Sequence, residues 1–187
     1  KILICNDDGY QATGIVALYE ALKTVADVEV VAPEQNNSAK SNALTLHSPL
    51  YVQQAANGFR YVNGTPADCV HIALTGLLGY RPDLVVSGIN SGLNTGIDVL
   101  YSGTVAGAIE GAFFGITSMA VSLEWSEHAD FDRAAVLARR VIEQVLAQKG
   151  PAPQLYNMNL PTAALAASQL NVRGVPMGVQ RSGEQYE

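Results

Sequence analysis

Short, uninterrupted apolar runs that alternate with amphipathic segments constrain the fold of this chain more than any other sequence feature. The first run, ILIC at residues 2–5, is typical of a strand buried on both faces of a parallel sheet. Further strands are predicted at residues 27–33, 82–90, 116–124 and 154–161. Helices are predicted between them, at residues 15–25, 65–79, 104–114 and 130–150. This order predicts an α/β fold with a Rossmann-like, doubly wound, mostly parallel sheet.

One excursion interrupts this alternation. Residues 43–54 and 59–64 predict a small antiparallel β-hairpin before the second helix. That helix has Thr65 at the expected N-cap and Pro66 at the first helical position. A length of 187 residues suits one domain of roughly 100–200 residues, so we expect residues 1–187 to form a single α/β domain. The polar ending leads us to expect that this domain is incomplete at its C-terminus.

Composition narrows the range of partners. Hydrophobic residues make up 48% of the chain and charged residues 15%, enough apolar surface for a sizeable core. The net charge is −6 without a basic stripe, which argues against a nucleic-acid polymer as a stable partner. No apolar run approaches the roughly 20 residues of a membrane span, so no membrane partner is expected. Cys5 and Cys69 lie in apolar contexts and suggest buried thiols in the reducing cytoplasm.

Polar clusters follow several of the predicted strands directly. Residues 6–8, 36–42 and 87–94 all lie after strand ends. Ligands of doubly wound sheets bind outside the carboxyl ends of the strands. We therefore expect these three segments to meet at one edge of the sheet.

The first cluster, NDDG at residues 6–9, places two adjacent carboxylates at the end of a buried strand. A divalent cation such as Mg²⁺ prefers oxygen ligands and would relieve the repulsion between Asp7 and Asp8. A solvated turn is the alternative, because Asp, Asn and Gly are common in turns. The segment alone does not decide between these two interpretations.

The second cluster, SGINSGLNTG at residues 87–96, has Gly or Asn at every second position from Gly88 to Gly96. Glycine allows the backbone to approach a ligand closely, and Asn offers an amide oxygen and an NH₂ group. This alternation favours a ligand-binding loop over a flexible surface loop.

The third cluster, YSGTVAGAIEGAFFG at residues 101–115, begins a helix with Ser102, Gly103 and Thr104. A helix N-terminus can bind an anion, although ordinary capping by Ser or Thr explains the same residues. The glycines recur at every fourth position and predict a smooth face that packs closely on the sheet: Gly103, Gly107, Gly111 and Gly115.

The fourth segment, NNSAKSNALT at residues 36–45, offers neutral oxygens and one lysine, and by composition alone it is a loop. The histidines carry less information. None of His47, His71 and His128 has the spacing of a zinc pair, so we expect structural roles for them.

Together these segments resemble the SurE family, the stationary-phase survival proteins that act as metal-dependent 5'- and 3'-nucleotidases and acid phosphatases. The matching stretches are NDDG at 6–9, VVAPEQNNSAKSNALT at 30–45, GTPADCV at 64–70, PDLVVSGINSGLNTG at 82–96 and YSGTVAGAIEGA at 101–112. They occur in the order of the family and cover most of the chain. The resemblance implies hydrolysis of nucleoside monophosphates to nucleoside and phosphate.

The resemblance also implies the residues of the site. One divalent ion per subunit, Mg²⁺ or Mn²⁺, would be bound by Asp7, Asp8, Ser38 and Asn90. The phosphate would be surrounded by Asn6, Asn94, Ser102, Gly103 and Thr104. Asp7 and Asp8 are the expected catalytic residues. The attacking group stays open, because metal-bound water and a nucleophilic Asp7 or Asp8 are both compatible with the sequence.

The end of the chain departs from the family pattern. Family members are homodimers or larger, with a C-terminal segment exchanged between subunits, and we expect a homodimer or homotetramer here. This sequence ends where the family usually continues, so the exchanged segment is expected to be missing.

Two other classes of protein fit the sequence less well. A phospho-acceptor signalling domain would need a lone acceptor Asp ending a later strand and a Lys at another strand end. The later strands end near Asn90 and Glu124 instead. A dinucleotide-binding module would need G-x-G-x-x-G after the first strand, which NDDGYQATG lacks.

Overall fold

A computed structural model describes residues 1–167 and 171–179 of the chain. The strands are β1 (Ile2–Cys5), β2 (Val28–Pro33), β3 (Val52–Gln54), β4 (Arg60–Val62), β5 (Leu84–Ser91), β6 (Ser118–Leu123) and β7 (Leu155–Leu160). The helices are α1 (Thr13–Leu22), α2 (Pro66–Ile72), α3 (Gly103–Phe113), α4 (Phe131–Gln148) and α5 (Thr162–Leu165). A π-helical turn at Ala73–Leu77 and a 3₁₀ turn at Gly96–Leu100 complete the regular structure of the described residues.

The strands form one sheet with the order β3-β4-β2-β1-β5-β6-β7. All neighbouring pairs are parallel except β3 and β4, which form the antiparallel excursion. The predicted α/β fold, with its mostly parallel sheet and small hairpin, is therefore confirmed. A single domain over residues 1–187 stays a prediction, because residues 168–170 and 180–187 lie outside the described part.

Apolar layers cover both faces of the sheet. Alternate residues of a strand point to opposite faces, so Ile2 and Ile4 pack with α1 and α4. Leu3 and Cys5 face the other side and pack with α2. The β1 strand is fully buried, as its continuous apolar run predicts. Among the described residues, no helix combines the length and the apolar character needed to cross a membrane.

Both cysteines are buried free thiols, as expected from their apolar contexts. Burial, followed by the neighbouring Cys5, holds the pKa of the Cys69 thiol well above its usual range. A protonated thiol is a poor nucleophile. These residues therefore act as small apolar side chains beneath the strand ends.

The glycines of α3 confirm the predicted close packing on the sheet. A Cβ atom at Gly107 would lie 2.8 Å from Ser87 Oγ, and one at Gly111 would lie 2.6 Å from Ser118 Oγ. Gly115 differs from the prediction, because it follows the helix and has a φ of 72°. It ends α3 instead of extending the smooth face.

Two predicted boundaries were wrong. The helix predicted at 65–79 ends at Ile72 and continues as a π-helical turn. Thr75 Oγ1 donates to the His71 carbonyl, the kind of back-bonding that often bends helices. The strand predicted at 43–54 is limited to Val52–Gln54, because residues 43–45 hydrogen bond to the start of α2 instead of to a strand.

Candidate metal and phosphate site

The loop after β1 is closed by its own first residue. Asn6 Nδ2 donates to the Gly9 carbonyl at 2.8 Å, and the Gly9 N–H donates to Asn6 Oδ1 at 3.2 Å. Gly9 has a φ of 102°, a conformation that residues with a Cβ rarely adopt. Asn6 is fully buried. It therefore shapes the turn that presents Asp7 and Asp8, and lies beneath the loop.

Asp7 is a buried carboxylate with 4% of its surface exposed. The Thr104 hydroxyl donates to Asp7 Oδ1 by a short hydrogen bond. Burial raises the pKa of Asp7 above its ordinary value, while hydrogen bonds from the side chain and backbone of Thr104 act in the opposite direction. The start of α3, predicted to bind phosphate, thus already binds the carboxylate of Asp7.

Asp8 lies beside Asp7 and is only partly buried. Burial is the main cause that raises the pKa of Asp8 to about 6, and the charge of Asp7 adds to it. A hydrogen bond from the N–H of Ser91, at the end of β5, lowers the pKa of Asp8. The carboxylate of Asp7 is therefore stabilised by α3 and that of Asp8 by the end of β5, but burial still opposes ionisation of both.

The loop after β2 reaches Asp7 through its backbone. The Asn37 N–H donates to the Asp7 carbonyl at 2.6 Å. Ser41 then bonds to the 3₁₀ turn, with its N–H donating to the Tyr101 carbonyl and its hydroxyl to the Leu100 carbonyl. Ser38 lies between these two anchors on an exposed part of the loop, where its N–H donates to Asn36 Oδ1.

Asn90, which the sequence analysis expected in a loop, lies near the end of β5 and pairs with Ser122 of β6. The register between these strands shifts between Ser87 and Asn90. Asn90 Nδ2 donates to the Gly92 carbonyl at 2.8 Å. This bond uses the amide nitrogen and not the oxygen, so the side-chain oxygen can serve as a metal ligand.

Asn157 and Asn159, which the sequence analysis missed, hydrogen bond to the backbone of Asn94. Asn157 Nδ2 and Asn159 Nδ2 both donate to the Asn94 carbonyl, and Asn159 Oδ1 accepts from the Asn94 N–H. Asn94 Nδ2 in turn donates to Ser122 Oγ at 2.8 Å. The signal was present in the sequence, because asparagines two positions apart on a strand point to the same side of the sheet.

The three predicted phosphate residues at the start of α3 are all buried. Ser102 is the N-cap, and its Oγ accepts from the Val105 N–H at 3.1 Å. A Cβ at Gly103 would lie 2.7 Å from Asp7 Cβ and 3.2 Å from the Asn37 carbonyl oxygen. Glycine at position 103 therefore lets the helix end, the acidic loop and the loop after β2 approach one another.

The side chains around Asp7 and Asp8 fit a hard divalent cation. Asp7 is buried, Asp8 is partly buried, and their charges repel each other. The residues that contact them, Asn37 and Ser91, are the chain neighbours of the expected oxygen ligands Ser38 and Asn90. Within the described residues, no group of three or more His, Cys, Asp or Glu side chains could hold a metal ion. A site here would therefore combine two carboxylates with neutral oxygens, a ligand set that suits Mg²⁺ or Mn²⁺ better than zinc.

A cavity of about 560 Å³ opens beside the loop after β2. Its lining includes Asn36, Asn37 and Lys40 on one side and Asn63 and Thr65 on the other. Amide groups and a lysine make this wall polar. It lies next to Asp7, because Asn37 belongs both to the cavity and to the contact with that residue.

Comparison with known proteins identifies related sequences and structures. The family profile described as "Survival protein SurE" matches residues 2–184. The chain is 69% identical over 170 residues to "5'-nucleotidase SurE" of Polaromonas sp. strain JS666, covering 86% of this chain and 65% of that protein. It is 62% identical over 167 residues to "5'-nucleotidase SurE" of Variovorax paradoxus strain S110, covering 88% of this chain and 66% of that protein.

A solved structure agrees with these relationships. The crystal structure of SurE protein from Aquifex aeolicus superposes with a TM-score of 0.81 at 44% identity, covering 86% of this chain and 65% of that one. The chain thus spans 65% of the length of this protein and of the Polaromonas relative.

Proposed function

Because this chain belongs to the SurE family, we propose that it is a metal-dependent phosphomonoesterase that releases phosphate from nucleoside 5'- and 3'-monophosphates. The observation that carries the proposal is the pair of acids at the end of β1. Asp7 and Asp8 are held in a partly buried loop, and burial raises the pKa of each carboxyl group. Such a pair suits a bound cation. The cation would also offset the repulsion between the two carboxylates and a phosphate dianion.

In this proposal Asp7, Asp8, Ser38 and Asn90 hold one Mg²⁺ or Mn²⁺ ion per subunit. A bound cation would offset the two carboxylates and polarise a phosphoryl oxygen. Neighbouring residues of the chain orient the two carboxylates. Thr104 fixes one oxygen of Asp7, and the Ser91 backbone fixes Asp8, so that the remaining carboxylate oxygens are oriented before the ion binds.

Phosphate contacts in this proposal come from the residues around the acids. Asn94 donates one amide hydrogen to Ser122, and its NH₂ group carries a second hydrogen for a phosphate oxygen. The proposed phosphate environment is completed by Asn6, Ser102, Gly103 and Thr104. Asn6 acts by shaping the loop after β1, and Thr104 acts by holding Asp7. Donors already aligned where charge develops stabilise phosphoryl transfer without reorganisation.

The nucleoside part would occupy the cavity beside the loop after β2. Its amides can hydrogen bond ribose hydroxyls and base edges, and Lys40 supplies a positive charge near the phosphate end. The polar lining suits a nucleoside better than an apolar alcohol.

Phosphate release from a panel of nucleotides tests the function. The wild-type chain is assayed with AMP, GMP and their 3' isomers after chelation, and again after adding Mn²⁺ or Mg²⁺. We expect no release in chelator and restored release with either ion. Full activity in chelator, or release from none of the nucleotides with any ion, would reject the proposal.

The cellular setting and assembly are also proposals. The two buried free thiols suit a reducing cytoplasm, which is the location we propose. We propose a homodimer or homotetramer, and large apolar side chains at the surface, such as Trp125 and Phe113, are candidates for subunit contacts. Sedimentation equilibrium of the chain tests the assembly, and a strictly monomeric protein would contradict it.

A further inference from the structure

Asp68 is a buried acid outside the group of acids assigned to the metal. It lies in the first turn of α2 and has 3% of its surface exposed. Its Oδ2 accepts from the Thr65 N–H at 2.9 Å and from Thr45 Oγ1 at 2.6 Å, while its Oδ1 accepts from the Thr45 N–H at 2.9 Å. Two of these three hydrogen bonds therefore come from a residue 23 positions away.

Helix capping explains only part of this arrangement. In a capping box the N-cap hydroxyl and the acid three residues later bond each other's backbone, as Thr65 and Asp68 do here. Capping does not require the hydrogen bonds from Thr45. Thr65 Oγ1 also donates to the Ala43 carbonyl at 2.6 Å. The start of α2 thus holds residues 43–45 at three points.

These residues belong to the segment between β2 and β3 that carries Ser38. Most of residues 34–48 are exposed. The loop is held near Asp7 through Asn37 and at the 3₁₀ turn through Ser41. The Asp68 contact supplies the third anchor, after Ser38 and Lys40. Without it, the loop beyond Ser41 would keep the bond from Thr65 to Ala43 but lose both hydrogen bonds of Thr45, a residue that lines the cavity.

We propose that Asp68 and Thr45 form a positioning pair that keeps the Ser38 loop in place over the metal and phosphate site. The proposal rests on the proposed function, because it assigns a role to the loop in binding the ion and the nucleotide. Neither residue is among the proposed ligands of the ion or the phosphate, although Thr45 lines the cavity proposed for the nucleoside. They act by limiting the conformations of the loop, which lowers the ordering cost of binding.

The test compares single hydroxyl deletions at two threonines, each of which donates a hydrogen bond to a residue of α2. Thr45→Val removes the hydroxyl that bonds Asp68 but keeps the capping box. Thr75→Val is the matched control, because Thr75 Oγ1 donates to the His71 carbonyl on an exposed turn away from the loop. Thr45→Ser restores the hydroxyl and is the rescue variant. Asp68→Asn is a second variant, in which an NH₂ group would face the donors of Thr45.

Three measurements are made on each variant. Trypsin cleavage after Lys40, followed by mass spectrometry, reports local opening of the loop. Mn²⁺ titration calorimetry reports ion affinity, and steady-state kinetics with a nucleotide separates KM from kcat. For Thr45→Val we expect cleavage after Lys40 and the Mn²⁺ dissociation constant to rise roughly tenfold, the size of a lost hydrogen bond to a charged group. We expect KM to rise more than kcat falls.

The outcomes distinguish failure of the positioning role from failure of the proposed function. Wild-type cleavage and Mn²⁺ affinity in Thr45→Val would overturn the positioning role, as would the same increases in Thr75→Val or failure of Thr45→Ser to reverse them. If the wild-type chain bound no Mn²⁺ and released no phosphate, the proposed function would fail. Faster cleavage in Thr45→Val would then still establish the loop anchor.

Discussion

Asp7 has 4% of its surface exposed, and its carboxylate accepts a hydrogen bond from the Thr104 hydroxyl at the start of α3. A carboxylate at a helix N-terminus is stabilised by the orphan N–H groups and by the helix dipole. Burial nevertheless raises the pKa of Asp7. At the scale of single residues, the neighbours of Asp7 therefore fix its position, but their hydrogen bonds do not fully offset the cost of burying its charge.

Gly103→Ala tests how closely the helix end must approach Asp7. The added Cβ would lie 2.7 Å from Asp7 Cβ, so the acidic loop must move. We expect a loss of about 1–3 kcal/mol in the free energy of unfolding and a roughly tenfold to hundredfold fall in phosphate release. Alanine is the better helix former, so a loss cannot come from helix propensity. Urea unfolding and the phosphate assay measure both effects.

Gly76→Ala is the control for this substitution, because a Cβ at that position meets nothing within 4 Å. It should keep the wild-type activity. A Gly103→Ala variant with the stability and activity of the wild type would contradict the close contact between α3 and Asp7.

Thr104→Val tests the hydroxyl that binds Asp7. Valine keeps the shape of threonine but removes the donor, which leaves a buried carboxylate oxygen with fewer hydrogen bonds. We expect about 1–3 kcal/mol of destabilisation and weaker Mn²⁺ binding, measured by urea unfolding and calorimetry. Thr117→Val is the control, because Thr117 is also buried and its hydroxyl accepts only a long hydrogen bond of 3.4 Å from the Gln154 N–H. Equal effects of the two substitutions would argue against a special role for Thr104.

At the scale of elements, apolar periodicity was sufficient to predict the strands and helices that form the core. The ILIC run is buried because both faces of β1 are covered. Thr65 caps α2 as predicted, and Asp130, the first residue of the helix predicted at 130–150, caps α4. The region of 43–50 was not predictable in this way. Its conformation depends on hydrogen bonds of Thr45 to Asp68 and of Pro49 to Asn63, and such pairings have no periodic signature in the sequence.

Strand β7 has a role in the candidate site that its sequence position did not reveal. Its two asparagines hold the backbone of Asn94 from the adjacent side of the sheet. Pattern analysis predicts that residues 154–161 form a strand. It does not predict which loop the polar side chains of that strand contact, because this depends on the order of strands in the sheet.

Asn159→Ala tests this role. It removes the bond to the Asn94 N–H at 2.8 Å and the bond to the Asn94 carbonyl at 3.0 Å. We expect a loss of about 1–3 kcal/mol in stability and roughly tenfold lower phosphate release, because the loop of residues 88–96 is less well held.

Asn57→Ala makes the same change in an exposed turn, where Asn57 Oδ1 accepts from the Phe59 N–H. Its phosphate release should match that of the wild type. If Asn159→Ala were as active as Asn57→Ala, the contact between β7 and Asn94 would be irrelevant to the site.

At the scale of the whole molecule, the sheet order explains why distant segments meet. β1 lies between β2 and β5, so the loops after these three strands emerge side by side at one edge. The sequence was sufficient to predict this edge and the acids on it. It could not show that Asn37 and Ser91, adjacent to the expected ligands Ser38 and Asn90, make the contacts to Asp7 and Asp8. Those contacts depend on loop conformations.

The central claim is that Asp7 and Asp8 form a cation site required for phosphate release. The most direct test measures Mn²⁺ binding by calorimetry and phosphate release from a nucleotide on the same preparations of wild type, Asp8→Asn and Asp27→Asn. Asp27 is an exposed acid just before β2, at the opposite edge of the sheet. We predict that Asp8→Asn loses Mn²⁺ binding and phosphate release together, whereas Asp27→Asn keeps both. Wild-type Mn²⁺ affinity or wild-type activity in Asp8→Asn would contradict the account.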